Sequence, residues 1–214
     1  VVARRTQLEP VVGDRQLILR IDRTELSKNI VRGLEAYREL LRSRPEHRGR
    51  VVHLAFAYPS RHDLPEYREY TAAVQRLARE VNEEFATAGW LPVHLEVRDD
   101  YARSLAAYAL ADVLLVNPVR DGMNLVAKEG PVLSPDGVVL VLSREAGAAD
   151  ELGADALLVN PFDVSQTAAA LHEALVMAPA ERRARCERLA EAAAALPPAA
   201  WLAAQLAALA SARS

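Results

Sequence analysis

Arg120-Asp-Gly-Met-Asn-Leu-Val-Ala-Lys-Glu129 joins an apolar run to a helix-forming segment through a glycine, with charges at both ends. The run before it, Val113-Leu-Leu-Val116, reads as a fully buried strand that Asn117-Pro118 ends. Gly122 allows a tight turn that brings main-chain N–H groups close to a ligand. Met123, Asn124, Leu125 and the residues up to Glu129 open a helix, whose N-terminal end attracts phosphate or electron-rich oxygen. Asp121 at the turn and Glu129, about two turns further on, are acceptors suited to hydroxyl groups.

The same strand-then-helix grammar repeats along the chain. Apolar runs predict strands near 17–22, 50–57, 92–97, 112–117, 138–142 and 156–159, with helices between most of them. Alternation of this kind predicts an α/β fold, a Rossmann-like parallel sheet with helices on both faces and its ligand at the carboxyl ends of the strands. From Leu64 to Ala86, Tyr67, Tyr70, Val74, Leu77, Val81 and Phe85 recur at helical spacing, which is a covering stripe and not a ligand box. Helices are also expected near 164–177, 180–195 and 199–211, with Leu196-Pro-Pro198 separating the last two and Trp201 and Leu202 anchoring the tail. Residues 1–16 read as a polar linker or the end of a preceding domain, 17–195 as the Rossmann-like domain and 196–214 as a C-terminal helix.

A second charged segment, Arg20-Ile-Asp-Arg-Thr-Glu-Leu-Ser-Lys-Asn29, follows the apolar run Leu17-Ile18-Leu19 and precedes an amphipathic helix. All but two of the 26 basic residues are arginine, and the two lysines, Lys28 and Lys128, fall in the two charged segments. Lys128 also reads as a solvated residue or a local charge partner, and Asp121 as an Asx-turn or cap residue before glycine.

The decapeptide at 120–129 resembles the donor-site motif of the trehalose-6-phosphate synthases, retaining glycosyltransferases of family 20 with a GT-B fold that join glucose from a nucleotide sugar to glucose 6-phosphate. The resemblance places Arg23 and Lys28 on the donor diphosphate, where an Arg fork and a flexible ammonium suit a leaving group that gains charge. It implies that Asp121 and the main chain of Gly122, Met123, Asn124 and Leu125 hold the donor sugar, and that Glu129 accepts from the nucleotide ribose. Pro59-Ser60-Arg61 matches a segment whose arginine binds the acceptor phosphate, although a loop arginine is also an ordinary surface residue. Leu140-Val-Leu-Ser143, Ala146-Gly-Ala148 and Val159-Asn-Pro-Phe-Asp163 recur in family order, with Trp90-Leu-Pro92 upstream of them. The resemblance implies no cofactor, no metal, a nucleotide-glucose donor, a glucose 6-phosphate acceptor and an N-terminal domain of the same enzyme that carries the acceptor pocket. A nucleobase site near Arg98 to Tyr101 and a homo-oligomer are compatible with it.

Some residues depart from the family pattern. Asn29 stands where most synthases have glycine, and asparagine tolerates a left-handed turn. Gly130-Pro131 is expected to interrupt the helix after Glu129. The Lys-Asn pair resembles pseudo-glycosyltransferases that couple cyclitols through nitrogen, but that branch alters the Arg-Asp-Gly-Met-Asn core that is intact here. A module that binds a nucleotide sugar without catalysis is the third alternative.

Composition sets further bounds. At 214 residues, 51% hydrophobic content and a net charge of −3, the chain builds a globular unit and offers no basic excess for nucleic acid. No apolar stretch reaches the roughly 20 residues of a membrane span, and no signal peptide is visible, so a cytoplasmic location with no membrane partner is expected. The lone Cys186 has no intramolecular partner. The five histidines are scattered without metal-ligand spacing. There is no Gly-x-Gly-x-x-Gly after the first strand, no phosphate loop and no Gly-x-Ser-x-Gly elbow at Ser143. A start at Val1 without Met is expected for part of a longer enzyme, inactive without its other half.

Overall fold

The computed structural model describes residues 1–195 and 197–211. Six strands, β1 (Gln16–Arg23), β2 (Val51–Tyr58), β3 (Val93–Glu96), β4 (Val113–Val116), β5 (Val139–Ser143) and β6 (Leu157–Val159), form one parallel sheet in the order β3-β2-β1-β4-β5-β6. Each lies within a residue or so of its expected place, because a strand buried on both faces is a near-continuous apolar run bounded by polar turns. The register β1 to β2 runs from Gln16 opposite Val51 to Arg23 opposite Tyr58, while β1 meets β4 through Ile18 and Val113.

Alternation along β1 sorts its side chains into two layers. Leu17, Leu19 and Ile21 face the side covered by α1 (Val2–Val12), α4 (Tyr101–Tyr108), α5 (Leu125–Leu133), α6 (Ala149–Leu152) and α8 (Pro179–Ala194). Ile18 faces the side covered by α2 (Ile30–Ser43), α3 (Pro65–Phe85) and α7 (Val164–Val176). Each leucine or isoleucine withdrawn fully from water in these layers contributes about 1.5–3 kcal/mol. Most of the α3 stripe behaves as expected: Val74, Leu77 and Val81 are buried, and Tyr70 and Phe85 pack beside them, whereas Tyr67 lies outside that core with its ring under Arg61. Side chains cap the starts of three helices, Asp100 for α4, Asn124 for α5 and Asp163 for α7. Each such cap is worth about 1 kcal/mol.

Four expectations need correction. Residues 2–12, expected to be a polar linker or the end of a preceding domain, are no linker but form α1: Leu8 and Val12 lie one turn apart and are buried, while Arg4 pairs with Asp100 at 3.0 Å. Their apolar signal, two side chains in an otherwise polar stretch, becomes a helix face only when the sheet is there to receive it. The helix at the decapeptide begins at Leu125, not Met123, because Asn124 serves as its cap. Gly130-Pro131 does not end that helix, which continues to Leu133. Here a close fit offsets the lost N–H: a Cβ on Gly130 would stand 2.3 Å from Leu114 Cδ2, and the Pro131 carbonyl accepts from Cys186 Sγ at 3.5 Å. Finally, Trp201 and Leu202 do not anchor the tail. They are 54% and 53% exposed on α9 (Pro198–Ser211), which has no buried residue, since α8 already presents Cys186 and Leu189 to the sheet. Leu196 and 212–214 of the expected terminal segment lie outside the described residues.

Cys186 is buried and free, and burial pushes its thiol up, which suits the inert role expected of it. Among the described residues no single helix is long and apolar enough to cross a membrane.

The contrast between the two ends gives a direct test. Leu8→Ala should lower unfolding free energy by about 2 kcal/mol or more through the cavity it leaves, whereas Trp201→Ala should change it by no more than about 0.5 kcal/mol. Urea denaturation of the two variants measures both.

Candidate functional site

Strands β1 and β4 are neighbours, yet the chain leaves β1 through α2 toward β2 and leaves β4 through α5 toward β5. The two connections diverge, and a crevice opens at the carboxyl edge between them. It measures about 320 Å³ and is lined by Asp22, Arg23, Lys28, Tyr58, Asp121 and Asn124, with Ile21, Leu125 and Val126 as its apolar side.

The structure brings together several residues singled out in the sequence. Lys28 Nζ donates to Asp121 Oδ2 at 2.5 Å, joining segments 93 residues apart across the crevice. Asn124 Nδ2 donates to the same Oδ2 at 3.1 Å, so Asp121 accepts from a cation and an amide at once. Burial pushes the Asp121 carboxyl up, but the hydrogen bond and charge of Lys28 outweigh it and hold the group below its ordinary value. Arg23 ends β1 with its guanidinium mostly in solvent, 2.7 Å from Glu25. Glu25 in turn accepts from Ser60 Oγ at 3.1 Å, which ties the Arg23 end to the loop bearing Arg61.

Other expected residues stand apart from the crevice lining. Gly122 and Met123 are exposed on the loop before α5. Glu129, on the second turn of α5 and half-buried, accepts from Tyr108 OH at 2.9 Å. Arg61 is exposed with φ 47, a left-handed conformation uncommon for a side chain of its size, and lies over the Tyr67 ring at 5.7 Å. Near the expected nucleobase loop, Arg98 pairs with Glu96 at 2.8 Å and Tyr101 is exposed. Lys128 is a local charge partner, held by both oxygens of Glu151 at 2.7 and 2.8 Å. Asn29 takes the left-handed geometry expected of it, φ 59 and ψ 36, and bonds the carbonyls of Asn117 and Pro161 at 2.9 and 2.7 Å.

Sequence reading passed over three features of this region. Arg20 is buried behind the crevice and Asp22 is buried in its wall, although two charges among the apolar residues of β1 were a visible signal. Burial pushes the Asp22 carboxyl up to about 6 against the pull of Arg20 and Lys28. Tyr108, the donor to Glu129, lies in an unremarkable helix, and only its position under α5 distinguishes it. The third feature concerns which glycine matters. Gly122 has open space where a Cβ would point, whereas a Cβ on Gly147 would stand 2.1 Å from the Gly122 carbonyl oxygen. It is the Ala146-Gly-Ala148 elbow that presses on the Asp121 loop: Gly147 N donates to Asp121 O at 3.0 Å and Ala148 N to Met123 O at 2.9 Å.

Away from the crevice, Glu46, His47 and His172 place their ligand-type atoms within 4.8 Å of one another, a grouping that spacing along the chain did not suggest. The two imidazoles bond each other at 2.9 Å and Arg44 adds positive charge beside them, so the pair reads as a clamp between the α2–β2 connection and α7.

The crevice at the switch point of a doubly wound parallel sheet, with cations and carboxylates facing each other across it, defines the class: a Rossmann-like α/β domain. The model of glycosyltransferase family 20 matches residues 1–211, and the chain belongs to that family. It is 39% identical over 181 residues to the probable alpha,alpha-trehalose-phosphate synthase (UDP-forming) 2 of Arabidopsis thaliana, covering 84% of this chain and 22% of that protein. With the trehalose-6-phosphate synthase of Sodalis glossinidius it shares 40% identity over 178 residues, 81% of this chain and 38% of that one. An alpha,alpha-trehalose-phosphate synthase (UDP-forming) from Burkholderia vietnamiensis superposes with a TM-score of 0.91 at 37% identity, over 96% of this chain and 47% of the other. A trehalose-6-phosphate synthase from E. coli bound with UDP-2-fluoro glucose does so at 0.83 and 36% identity, over 88% and 42%. The chain therefore spans less than half the length of each of these relatives.

The elbow yields a prediction about the loop. Gly147→Ala should cost about 1–3 kcal/mol of stability, because backbone cannot yield as a side-chain tip does. Gly122→Ala should stay within about 0.5 kcal/mol. Denaturant titration of the pair would show the reverse order if Gly122 were the constrained residue.

Proposed function

We propose that this chain is the donor-binding half of a retaining glycosyltransferase of GT-B architecture, which transfers glucose from a nucleotide sugar to glucose 6-phosphate and forms alpha,alpha-trehalose 6-phosphate. The observation that carries the reading is the Lys28–Asp121 contact across the switch-point crevice. It sets a cation suited to phosphate beside an acceptor suited to hydroxyls, which together answer the two kinds of group that a sugar diphosphate presents to its binder.

In this reading the bond from the anomeric carbon to the β-phosphate oxygen breaks while a bond to the acceptor hydroxyl forms on the same face of the sugar. The hydroxyl proton passes to the departing phosphate oxygen, so no protein nucleophile is needed. Lys28 and Arg23 stabilise the charge that grows on the diphosphate, aided by main-chain N–H groups at the start of α5. Both cations are engaged by carboxylates here, Lys28 with Asp121 and Arg23 with Glu25, and the donor would take them over. Asp121 and the loop Gly122 to Leu125 hold sugar hydroxyls, Glu129 held by Tyr108 accepts from the ribose, and Arg61 clamps the acceptor phosphate. Uridine is the favoured base because two of the relatives above are named UDP-forming and a third is bound with UDP-2-fluoro glucose. A Burkholderia xenovorans relative, described in complex with glucose-6-phosphate, supports the acceptor. A cytoplasmic location belongs to the same reading. The cyclitol-coupling alternative gains no support from these relatives. A non-catalytic module differs from the enzyme at one observation, activity after reconstitution.

Two expectations test the reading. The chain joined to an N-terminal half of a family 20 synthase should make trehalose 6-phosphate from UDP-glucose, whereas the chain alone should not, since transfer requires the acceptor to be oriented and water excluded. In the joined enzyme Arg23→Ala and Lys28→Ala should each weaken donor binding by about 1.5–3 kcal/mol, and calorimetry showing unchanged binding in the double variant would remove both from the site.

A further expectation concerns pH. A carboxyl at about 6 in the crevice is half ionised there, and a bound pyrophosphate penalises its charged form. Binding therefore takes up protons and weakens as pH rises through about 6 toward 7. UDP-glucose, whose diester phosphates do not titrate in that range, is the suitable ligand, and Asp22→Asn should flatten the dependence in calorimetry.

A further inference from the structure

Behind the crevice lies a residue that no expected role covers. Arg20 sits mid-strand in β1, opposite Ala55, on the sheet face that its neighbours along the strand fill with Ile18. It is 1% exposed. Its fork spreads to three segments: Nη1 donates to Asn117 Oδ1 at 2.5 Å, Nη2 donates to the Lys28 carbonyl, and Nη2 also lies 3.0 Å from Asp22. Asn117 is the first residue after β4 and precedes the decapeptide, and Lys28 is the crevice cation itself.

Stability does not account for this arrangement. Taking a guanidinium and a carboxylate out of water costs several kcal/mol, and apolar residues of similar volume often serve equally well or better. The site also leaves Arg20 Nε and Asn117 Nδ2 without partners, a further cost. Space is reserved for the head group as well. A Cβ on Gly33 of α2 would stand 2.3 Å from Arg20 Nη1 and 3.2 Å from Asn117 Oδ1, so the glycine opens the helix face at the point where the fork passes.

What the fork does is fix distance. Lys28 and Asp121 arrive on connections from β1 and β4, and Arg20 is bonded both to the main chain of the first and to the residue that begins the second. Asn29 adds a parallel tie, bonding the Asn117 carbonyl from the other side. We propose that Arg20 is a positioning residue for the transfer reaction: from beneath the crevice it holds the Lys28 backbone against the start of the β4–α5 connection, so that the Lys28 ammonium and Asp121 meet the donor at a preset separation. The catalytic part of this statement rests on the function proposed above; the positional part does not. A misplacement of about 1 Å at such a contact is enough to cost on the order of a hundredfold in rate.

The two lysines supply a readout of position that needs no activity. Reductive methylation of the 214-residue chain with carbon-13 labels Lys28 and Lys128 beside the terminal amine, and Lys128→Arg assigns them. Arg20→Met should move the Lys28 resonance and leave that of Lys128 in place, and Gly33→Ala should move it too by displacing the fork. In the Arg20→Met background Gly33→Ala should add much less, since the nearest atom it strikes is gone and only the looser contact with Asn117 Oδ1 at 3.2 Å remains. In the enzyme joined to its N-terminal half, Arg20→Met should lower kcat at least tenfold while KM for the nucleotide sugar changes less than threefold. A Lys28 resonance unmoved by Arg20→Met, or a Gly33→Ala effect of equal size with and without Arg20, overturns the proposal, as does kcat within twofold of the parent. A displaced Lys28 signal together with no transfer by the joined parent enzyme instead overturns the assigned reaction and leaves the positioning of Lys28 established.

Discussion

Two parallel strands lie side by side while the chain departs from them in opposite directions, and the rest of the site depends on that constraint. Because parallel strands require crossover connections that pack helices on the faces, every loop that follows a strand is delivered to the same edge. Only between β1 and β4 do those loops separate rather than overlap. Lys28 and Asp121 come from the two sides of this gap, and their 2.5 Å contact spans it. A sheet in sequential order would have packed the two connections beside each other and closed the crevice.

Polar groups under the crevice are arranged to hold the loops, at a cost in solvation. Arg20, Asp22, Asn29 and Asn117 are all buried. Their bonds reach the connections after β1, β4 and β6, where the Pro161 carbonyl accepts from Asn29. The left-handed backbone at Asn29 is part of the same device, because it turns the side chain inward while α2 begins at the next residue. The Gly147 elbow then presses on the Asp121 loop from β5, so the Asp121 side of the crevice is set by contact from three strands and not by the loop's own turn.

Several of the expected site residues are engaged within the protein itself, for a physical reason. Glu129, expected to accept from a ribose, is a half-buried carboxylate that needs a donor, and Tyr108 provides one. Arg23 keeps its guanidinium largely in solvent, while Glu25 and Ser60 link it to the loop of Arg61. The same logic explains the misread helices. Pro131 was expected to stop α5, but local propensity is a weak term beside the packing of Gly130 on Leu114. Residues 2–12 carry too few apolar side chains to announce a helix, and α1 forms because Leu8 and Val12 find the sheet.

The strands, the long helices and both charged segments were legible in the sequence because each depends on neighbours within a few positions: runs of Val and Leu, a stripe at helical spacing, a charge cluster at a turn. The resemblance to family 20 was legible for the same reason, since its motifs are contiguous. What the sequence could not determine was which charges meet, because pairing over 93 residues depends on strand order, and strand order leaves no local trace. Only the tertiary structure decided that Lys28 faces Asp121, that Arg20 lies under them and Asp22 beside them, that Gly147 and not Gly122 lacks room for a Cβ, and that Trp201 stays in solvent. Each of these is a matter of distance through space, and the chain states only distance along itself.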